Sequence, residues 1–172
     1  VPTEVNIQLT HACNLRCKMC YQWNDDGYFH SYNQEIQNKE LSVEAFKNIL
    51  EETKEVKSRL YLWGGEPLYH SEWDSIADCI DEDPRHTVIC TNGILLEKNM
   101  ESLLKISPHL ALLISVDGLS EANNALRGKS TFERLVRQMD IILEQQRKGN
   151  YRGSISVSAV LNDDLIPHLY EF

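Results

Sequence analysis

Short runs of β-branched and aromatic residues alternate along the chain with longer segments of helical periodicity. Five runs have the length and composition of strands, and they cover Val5 to Thr10, Leu60 to Trp63, Thr87 to Thr91, Leu110 to Val116 and Ile155 to Leu161. The fourth run is apolar nearly throughout, which is typical of a strand that is covered on both faces.

Between these runs, apolar residues recur at the spacing of one helix face. The predicted helices cover Val43 to Val56, Trp73 to Ile80, Leu95 to Ile106 and Phe132 to Arg147, and Leu165 to Phe172 is predicted to begin a fifth. Ser42 and Thr131 are the expected N-caps of the first and fourth helices. Repeated strand–helix units indicate an α/β fold with parallel strands and right-handed crossovers.

The length of the chain limits how this sheet can close. A barrel of eight strand–helix units needs roughly 250 residues, and the chain has 172. Either an open sheet or an incomplete barrel is therefore expected. Tyr21 to Glu40 form a long polar loop after the first strand, and loops of that length in compact domains are usually functional.

Composition narrows the class of partner. Apolar residues make up 42% of the chain and charged residues 25%, as in ordinary globular proteins. The net charge of −9 weighs against nucleic acid as a partner. No apolar run approaches the ~20 residues of a membrane span, and no signal peptide is visible, so no membrane partner is expected. The first residue is Val1 rather than Met, which suggests that the sequence starts inside a longer chain.

The cysteines point to metal chemistry. Cys13, Cys17 and Cys20 fall within eight residues, whereas Cys79 and Cys90 stand alone and are expected to be core residues. An odd, clustered set is unlike a secreted disulfide framework and indicates thiols kept reduced, hence a cytoplasmic location. Three thiolates suit a [4Fe–4S] cluster with one iron free of protein ligands. Zinc with His11 as fourth ligand and unligated core cysteines remain alternatives.

Small and polar residues follow four of the strands. They are Thr10 to Cys13, Gly64 to Pro67, Thr91 to Gly93 and Ser115 to Gly118. Because α/β folds carry their working groups at the carboxyl ends of parallel strands, these four tails predict a single pocket next to the cysteines.

The motifs CNLRCKMC, GGEP, TNG and SVDG together resemble the radical S-adenosylmethionine (radical SAM) enzyme family. Their order is similar to that family's partial (β/α)6 TIM-like barrel, from its first strand into its fifth. The resemblance implies that residues 1–172 are the N-terminal part of a radical SAM core domain. The sixth strand and any auxiliary-cluster domain would lie outside the sequence.

The resemblance also implies a role for each motif residue. Cys13, Cys17 and Cys20 would hold the [4Fe–4S] cluster, whose free iron would chelate SAM. The cofactor-binding residues would be Gly64, Gly65, Glu66 and Pro67 near the ammonium, Thr91 and Asn92 along the cleft, Ser115 and Asp117 at the ribose or carboxylate, Arg127 at the carboxylate and Met19 near the adenine. A solvated loop arginine is the alternative interpretation of Arg127.

Some neighbouring residues depart from the family's pattern or have two interpretations. The family prefers an aromatic residue where this chain has Met19, and a thioether makes similar contacts with a ring. Tyr21 and Trp23 either shape the pocket or pack in the core or the loop. His11 is expected to lie near the metal without binding it.

The implied activity is reductive cleavage of SAM. An external one-electron reductant, such as flavodoxin or ferredoxin, would reduce the cluster, and the 5′-deoxyadenosyl radical would then abstract hydrogen from a substrate. The motifs are most similar to the branch that modifies peptides and proteins, which often carries a Cys-rich SPASM domain. A small-molecule or cofactor-biosynthesis enzyme and a non-catalytic iron–sulfur module are the alternatives.

Overall fold

The computed structural model describes residues 1–163 and 165–171. Its five strands are β1 (Glu4–Thr10), β2 (Arg59–Gly64), β3 (Thr87–Thr91), β4 (Leu110–Ser115) and β5 (Ser154–Ser158). All are parallel, and their order in the sheet is the order of the sequence. Each strand lies beside the one before it, as in a barrel, whereas a doubly wound sheet reverses its order part way across. The predicted α/β, partial-barrel fold is therefore confirmed.

Six helices connect the described strands. They are α1 (Gln34–Gln37), α2 (Val43–Glu52), α3 (Trp73–Glu82), α4 (Met100–Ile106), α5 (Ser120–Arg127) and α6 (Thr131–Arg147). Among the described residues no helix combines the length and the apolar character needed to cross a bilayer.

The core lies between one face of the sheet and helices α2, α3, α4 and α6. Alternate strand residues such as Leu60, Leu62 and Ile89 are fully buried against apolar helix residues such as Phe46 and Ile76. Strand β4 was expected to be covered on both faces. Leu110, Leu112 and Ile114 are indeed buried, but the side chains between them are only half-buried, because the described helices cover one face of the sheet.

Two of the expected helix termini are wrong for reasons visible in the hydrogen bonds. Helix α2 ends at Glu52 instead of Val56, because the Thr53 hydroxyl donates to the Ile49 carbonyl at 2.6 Å and Lys57 adopts a left-handed φ of 48°. Helix α4 begins at Met100 instead of Leu95, since the Asn99 side chain donates to the Leu95 carbonyl at 2.9 Å in a turn.

The N-cap expected at Thr131 is also wrong. Ser130, with a left-handed φ of 58°, precedes helix α6 and makes no side-chain cap. The Thr131 hydroxyl instead donates to the Gly128 carbonyl at 2.8 Å.

The end of the chain differs from the expected fifth helix. Residues Ile166–His168 form a single 3₁₀ turn that contains Pro167, and Phe172 lies outside the described residues. Strand β5 ends at Ser158, earlier than the expected Leu161.

The long loop after β1 leaves the sheet and returns to the same strand end. The His11 amide donates to the Lys39 carbonyl at 2.9 Å, and the Leu41 amide donates to the Leu9 carbonyl at 2.8 Å. Phe29 is buried between the rings of His11, at 4.3 Å, and Tyr28, at 4.4 Å. The loop is therefore packed through its aromatic side chains, and its two ends lie close together.

The helix-facing side of the central strands should dominate the stability of the fold. Replacing the fully buried Ile89 by Ala should lower the free energy of unfolding by roughly 2–5 kcal/mol, since it leaves a cavity in the core. Val136→Ala, at a site on α6 that is 43% exposed, is the matched control and should change it by less than about 0.5 kcal/mol. Urea denaturation followed by circular dichroism measures both, and equal effects would contradict this account of the core.

Candidate active site

The three clustered cysteines lie on the loop that follows β1. The Cys20 amide donates to the Cys17 carbonyl at 3.0 Å, which folds the loop into a tight turn. Arg16 holds the same loop from outside: its Nη1 donates to the carbonyls of Cys13 at 2.7 Å and Leu15 at 2.8 Å, and its guanidinium lies 4.0 Å from the ring centre of Trp23. The backbone of the loop is therefore fixed independently of anything the thiols bind.

All three thiols are half-buried and unpaired by disulfides. Burial raises the pKa of Cys13 to about 12 and also raises the pKa of Cys17, where nearby Arg127 partly offsets the effect. Thiolates, rather than thiols, bind metals. A positively charged group must therefore enter with the thiolates, because binding to metal ions is what stabilises a deprotonated sulfur in such a site.

The GGEP turn at the end of β2 packs directly on this loop. The Gly65 amide donates to the Thr10 carbonyl at 2.8 Å, and the Glu66 amide donates to the Ala12 carbonyl at 2.9 Å. A Cβ atom on Gly65 would lie 2.1 Å from the Ala12 carbonyl oxygen, and one on Gly64 would lie 2.4 Å from the Thr10 carbonyl oxygen. Glycine is therefore required here by the backbone of the cysteine loop.

Glu66 joins the ends of β2 and β3. Its buried carboxylate accepts hydrogen bonds from the Thr91 hydroxyl at 2.7 Å, from the Asn92 amide at 2.7 Å and from the Leu68 amide at 3.1 Å. Burial raises the pKa of Glu66 to about 7, even though these three bonds favour the charged form. The side chain of Asn92 continues the network to the cysteine loop by donating to Asn14 Oδ1 at 2.8 Å.

The buried Asp117 and the half-buried Arg127 form an ion pair beyond β4. Arg127 Nε and Nη2 lie 2.7 and 2.6 Å from Asp117 Oδ2, and Asp117 Oδ1 accepts from the Val160 amide at 2.9 Å. Arg127 ends helix α5, a helix that the sequence did not predict, so the solvated-loop interpretation of this arginine is wrong. These bonds use two of the five N–H donors of the guanidinium.

These strand ends enclose one pocket of about 430 Å³. Eleven of the sequence-predicted site residues line it: Cys13, Cys17, Met19, Cys20, Gly64, Gly65, Glu66, Thr91, Asn92, Ser115 and Arg127. Two predicted residues do not line the pocket. Pro67 is buried at the first position of a 3₁₀ turn, and Asp117 lies behind Arg127.

Several lining residues escaped the sequence prediction. They are Leu15, Gln22, Tyr61, Trp63, Cys90 and Val160. Cys79 is buried in the core as expected, but Cys90 is half-buried and faces the pocket. The period-two alternation of β2 and β3 would have indicated Tyr61 and Cys90, because both lie on the face opposite the buried residues Leu60, Leu62 and Ile89.

The remaining aromatic and histidine candidates differ in whether they line the pocket. Tyr21 lines the pocket and is exposed, whereas Trp23 is buried in the loop and donates through Nε1 to the His11 carbonyl at 2.8 Å. The ring of His11 stacks on Phe29, and its Nδ1 lies 2.8 Å from the Ile36 carbonyl oxygen. His11 is thus held in the loop and does not line the pocket.

The donor set fits a multinuclear cluster better than one ion. Among the described residues, no three His, Cys, Asp or Glu side chains converge on a point that could hold a single metal ion. In a four-iron cluster each cysteine binds a different iron, so the three sulfurs surround a larger body. Three half-buried thiols facing one cavity, with His11 turned away, suit that arrangement and disfavour zinc bound through His11.

Comparison with known proteins identifies the family. The model of the Radical SAM superfamily matches residues 7–171, so the chain belongs to that superfamily, as its four motifs indicated. Enzymes of this family use a [4Fe–4S] cluster and SAM. Cys13, Cys17 and Cys20 are the residues that would hold the cluster in this pocket.

Two curated relatives have different named activities. The chain is 29% identical over 165 residues to the Fe-coproporphyrin III synthase of Methanosarcina barkeri, covering 95% of this chain and 39% of that protein. It is also 29% identical over 141 residues to the mycofactocin maturase MftC of Mycolicibacterium smegmatis, covering 81% of this chain and 34% of that protein. The chain thus spans about a third to two fifths of the length of these relatives.

Streptococcus suis SuiB, in its crystal structure bound to S-adenosylmethionine, shares the fold. It superposes with a TM-score of 0.74 at 21% identity, covering 99% of this chain and 37% of SuiB.

The buried carboxyl group of Glu66 should make stability depend on pH. Its pKa of about 7 in the folded chain exceeds the ordinary value of 4.5. Its stabilising contribution is therefore fully present below about pH 4.5 and is lost as pH rises through about 7. The unfolding free energy of the wild type minus that of Glu66→Gln should therefore fall from pH 5 to pH 8. Urea denaturation of the metal-free protein measures this difference, and a constant value from pH 5 to pH 8 would contradict the raised pKa of Glu66.

Proposed function

We propose that this chain forms a radical SAM core that cleaves SAM reductively and abstracts hydrogen from a peptide or protein substrate. The cluster, when bound and reduced, supplies the electron that breaks the carbon–sulfur bond of SAM. The observation that carries the proposal is one pocket that joins three half-buried thiols to the GGEP, TNG and SVDG strand ends. Residues 1–172 would act together as this core domain.

The residues of the pocket would hold SAM from several sides. Ser115, half-buried in the pocket, would donate to the ribose or carboxylate. Arg127 would bind the carboxylate with the donors that Asp117 leaves unused, and the ion pair would keep the guanidinium oriented. Met19, between two of the cysteines and facing the pocket, would contact the adenine.

The charge of the pocket favours a peptide or protein over a highly anionic small molecule. Among the described residues that line it, only Glu66 and Arg127 carry a carboxylate or a guanidinium, and Arg127 is already paired with Asp117. A porphyrin carboxylate or a nucleotide phosphate would need cations to replace its hydration. A neutral peptide group needs none.

A small-molecule substrate is the second candidate. It is supported by the Fe-coproporphyrin III synthase, which is as similar in sequence as the mycofactocin maturase. The third possibility, a non-catalytic iron–sulfur module, differs from both because it predicts no turnover of SAM.

The test uses deuterium transfer. The reconstituted protein, dithionite and SAM should release 5′-deoxyadenosine, and absence of release would overturn the enzymatic proposal. When extract from the source organism grown in D₂O is added, deuterium from the substrate should appear in the 5′-deoxyadenosine. Mass spectrometry measures this deuterium. Protease treatment of the extract should abolish the transfer if the substrate is a peptide or protein. Transfer that survives protease treatment would favour the small-molecule candidate.

The thiol assignment predicts a selective loss of the cluster. Cys17→Ala should abolish the brown visible absorbance and the bound iron of the reconstituted protein, because one of three protein ligands is missing. Cys79→Ala, at a buried cysteine of α3, is the matched control and should keep both. Unchanged iron in the Cys17 variant would show that this thiol is not a ligand.

Ser115 should affect the cofactor but not the cluster. Ser115→Ala removes one hydrogen bond to SAM, which corresponds to an affinity loss of about threefold to tenfold. Calorimetric titration of the reconstituted protein with SAM measures the loss, and the iron content of the variant should equal that of wild type. Undiminished affinity would remove Ser115 from the cofactor site.

A further inference from the structure

Seven lining residues of the pocket have no cofactor role described above, and three of them lie within the strands of the sheet. Tyr61 and Trp63 lie on β2 and Cys90 lies on β3, all within the strands rather than at the motif-bearing turns. They face away from the helices, because their neighbours Leu62 and Ile89 point into the core. We call Tyr61, Trp63 and Cys90 the inner wall of the pocket.

Two residues of the inner wall contact each other. The thiol of Cys90 lies 2.7 Å from the hydroxyl oxygen of Tyr61 and forms a hydrogen bond with it. The two residues lie on adjacent paired strands, where Tyr61 is in register with Val88 and Leu62 with Ile89. This surface is therefore built on rigid elements, which position a bound group more accurately than loops do.

The side chains of the inner wall are uncharged and present mostly apolar surface. An indole, a phenol and a thiol supply apolar and polarisable surface, and Leu15 and Val160 add apolar side chains to the lining of the same pocket. Such a surface gains free energy by removing an apolar group from water, and it supplies no opposite charge to pair with a charged group.

We propose that the inner wall binds the reacting part of the substrate and selects an uncharged, carbon-rich group, such as an aliphatic or aromatic side chain of a peptide. The proposal rests on the proposed function and extends it to the specificity of the same pocket. It follows from location, since the substrate carbon must lie beside the cofactor, and the strand ends and cysteine loop are assigned to the cluster and SAM. The inner wall is the part of the remaining lining that lies within the strands, and Leu15, Tyr21, Gln22 and Val160 make up the rest.

Protection of Cys90 from alkylation tests the inner wall without requiring catalysis. In the reconstituted, SAM-loaded protein, N-ethylmaleimide labelling of Cys90 is followed by peptide mass spectrometry. The probes are N-acetylleucinamide, N-acetyltyrosinamide, N-acetyllysinamide and the α-amide of N-acetylaspartate, which share one backbone. The leucine and tyrosine probes should slow labelling about threefold, the protection that a ligand gives at twice its Kd. The lysine and aspartate probes should leave the rate unchanged.

Variants separate the inner wall from general effects. Trp63→Ala should abolish the protection by the tyrosine probe, and Trp63→Phe should keep part of it. Tyr69→Ala removes an aromatic side chain that is 47% exposed and does not line the pocket, so it should leave the protection intact. Iron content and visible absorbance of each variant show whether the protein has folded around its cluster.

The outcomes distinguish this inference from the proposed function. Protection by the charged probes equal to that by the neutral ones, or by no probe at all, would overturn the role of the inner wall even if 5′-deoxyadenosine is still released. Selective protection without any release of 5′-deoxyadenosine would support the inner wall as a binding surface and count against the enzymatic proposal. Retained protection in Trp63→Ala would also overturn the inference.

Discussion

The contact between the GGEP turn and the cysteine loop is the constraint on which the site depends. Gly64 and Gly65 let two strand ends approach until their backbones hydrogen-bond, and the carboxylate of Glu66 then ties the same turn to the end of β3. Burial of a carboxylate is costly unless it is hydrogen-bonded, and the three donors around Glu66 supply those bonds. Glu66 thereby links the cysteine loop, through its backbone amide, to the end of β3, through its carboxylate.

The sequence predicted the sheet and most of the pocket for a simple physical reason. Parallel strands bring their carboxyl ends to one edge, so the Cys, Gly-Gly-Glu, Thr-Asn and Ser residues that follow the strands had to converge. Helix α5 was not predicted in the same way, because its residues SEANNALR are mostly polar and its apolar residues are only two alanines and one leucine. Its position depends on the buried Asn123, which accepts from the Asp117 amide at 3.1 Å and donates to Thr131 at 3.2 Å.

The prediction that Cys90 is a core residue was wrong because it rested on composition. An isolated cysteine in a strand of otherwise buried residues has the composition of a core position, whereas the period-two alternation next to the buried Ile89 places Cys90 on the face opposite the helices.

The net charge of the chain also did not predict the charge of the pocket. The value of −9 belongs to the whole sequence. Within the pocket, the positive charge of Arg127 is balanced by its ion pair with Asp117.

The segment that holds the cysteines and the loop from Tyr21 to Glu40 begins and ends beside the same strand end, since residues 11 and 39 are hydrogen-bonded to each other. Its length is therefore decoupled from the register of the sheet. Doubling such a loop adds only about 0.6 kcal/mol of closure entropy. Its Trp23 nevertheless ties the loop to the cysteines, because the Trp23 amide donates to the Cys20 carbonyl and the Trp23 ring lies against Arg16. A change in this loop would therefore reach the pocket through Tyr21 and Gln22, which line it, while the strands stay in register.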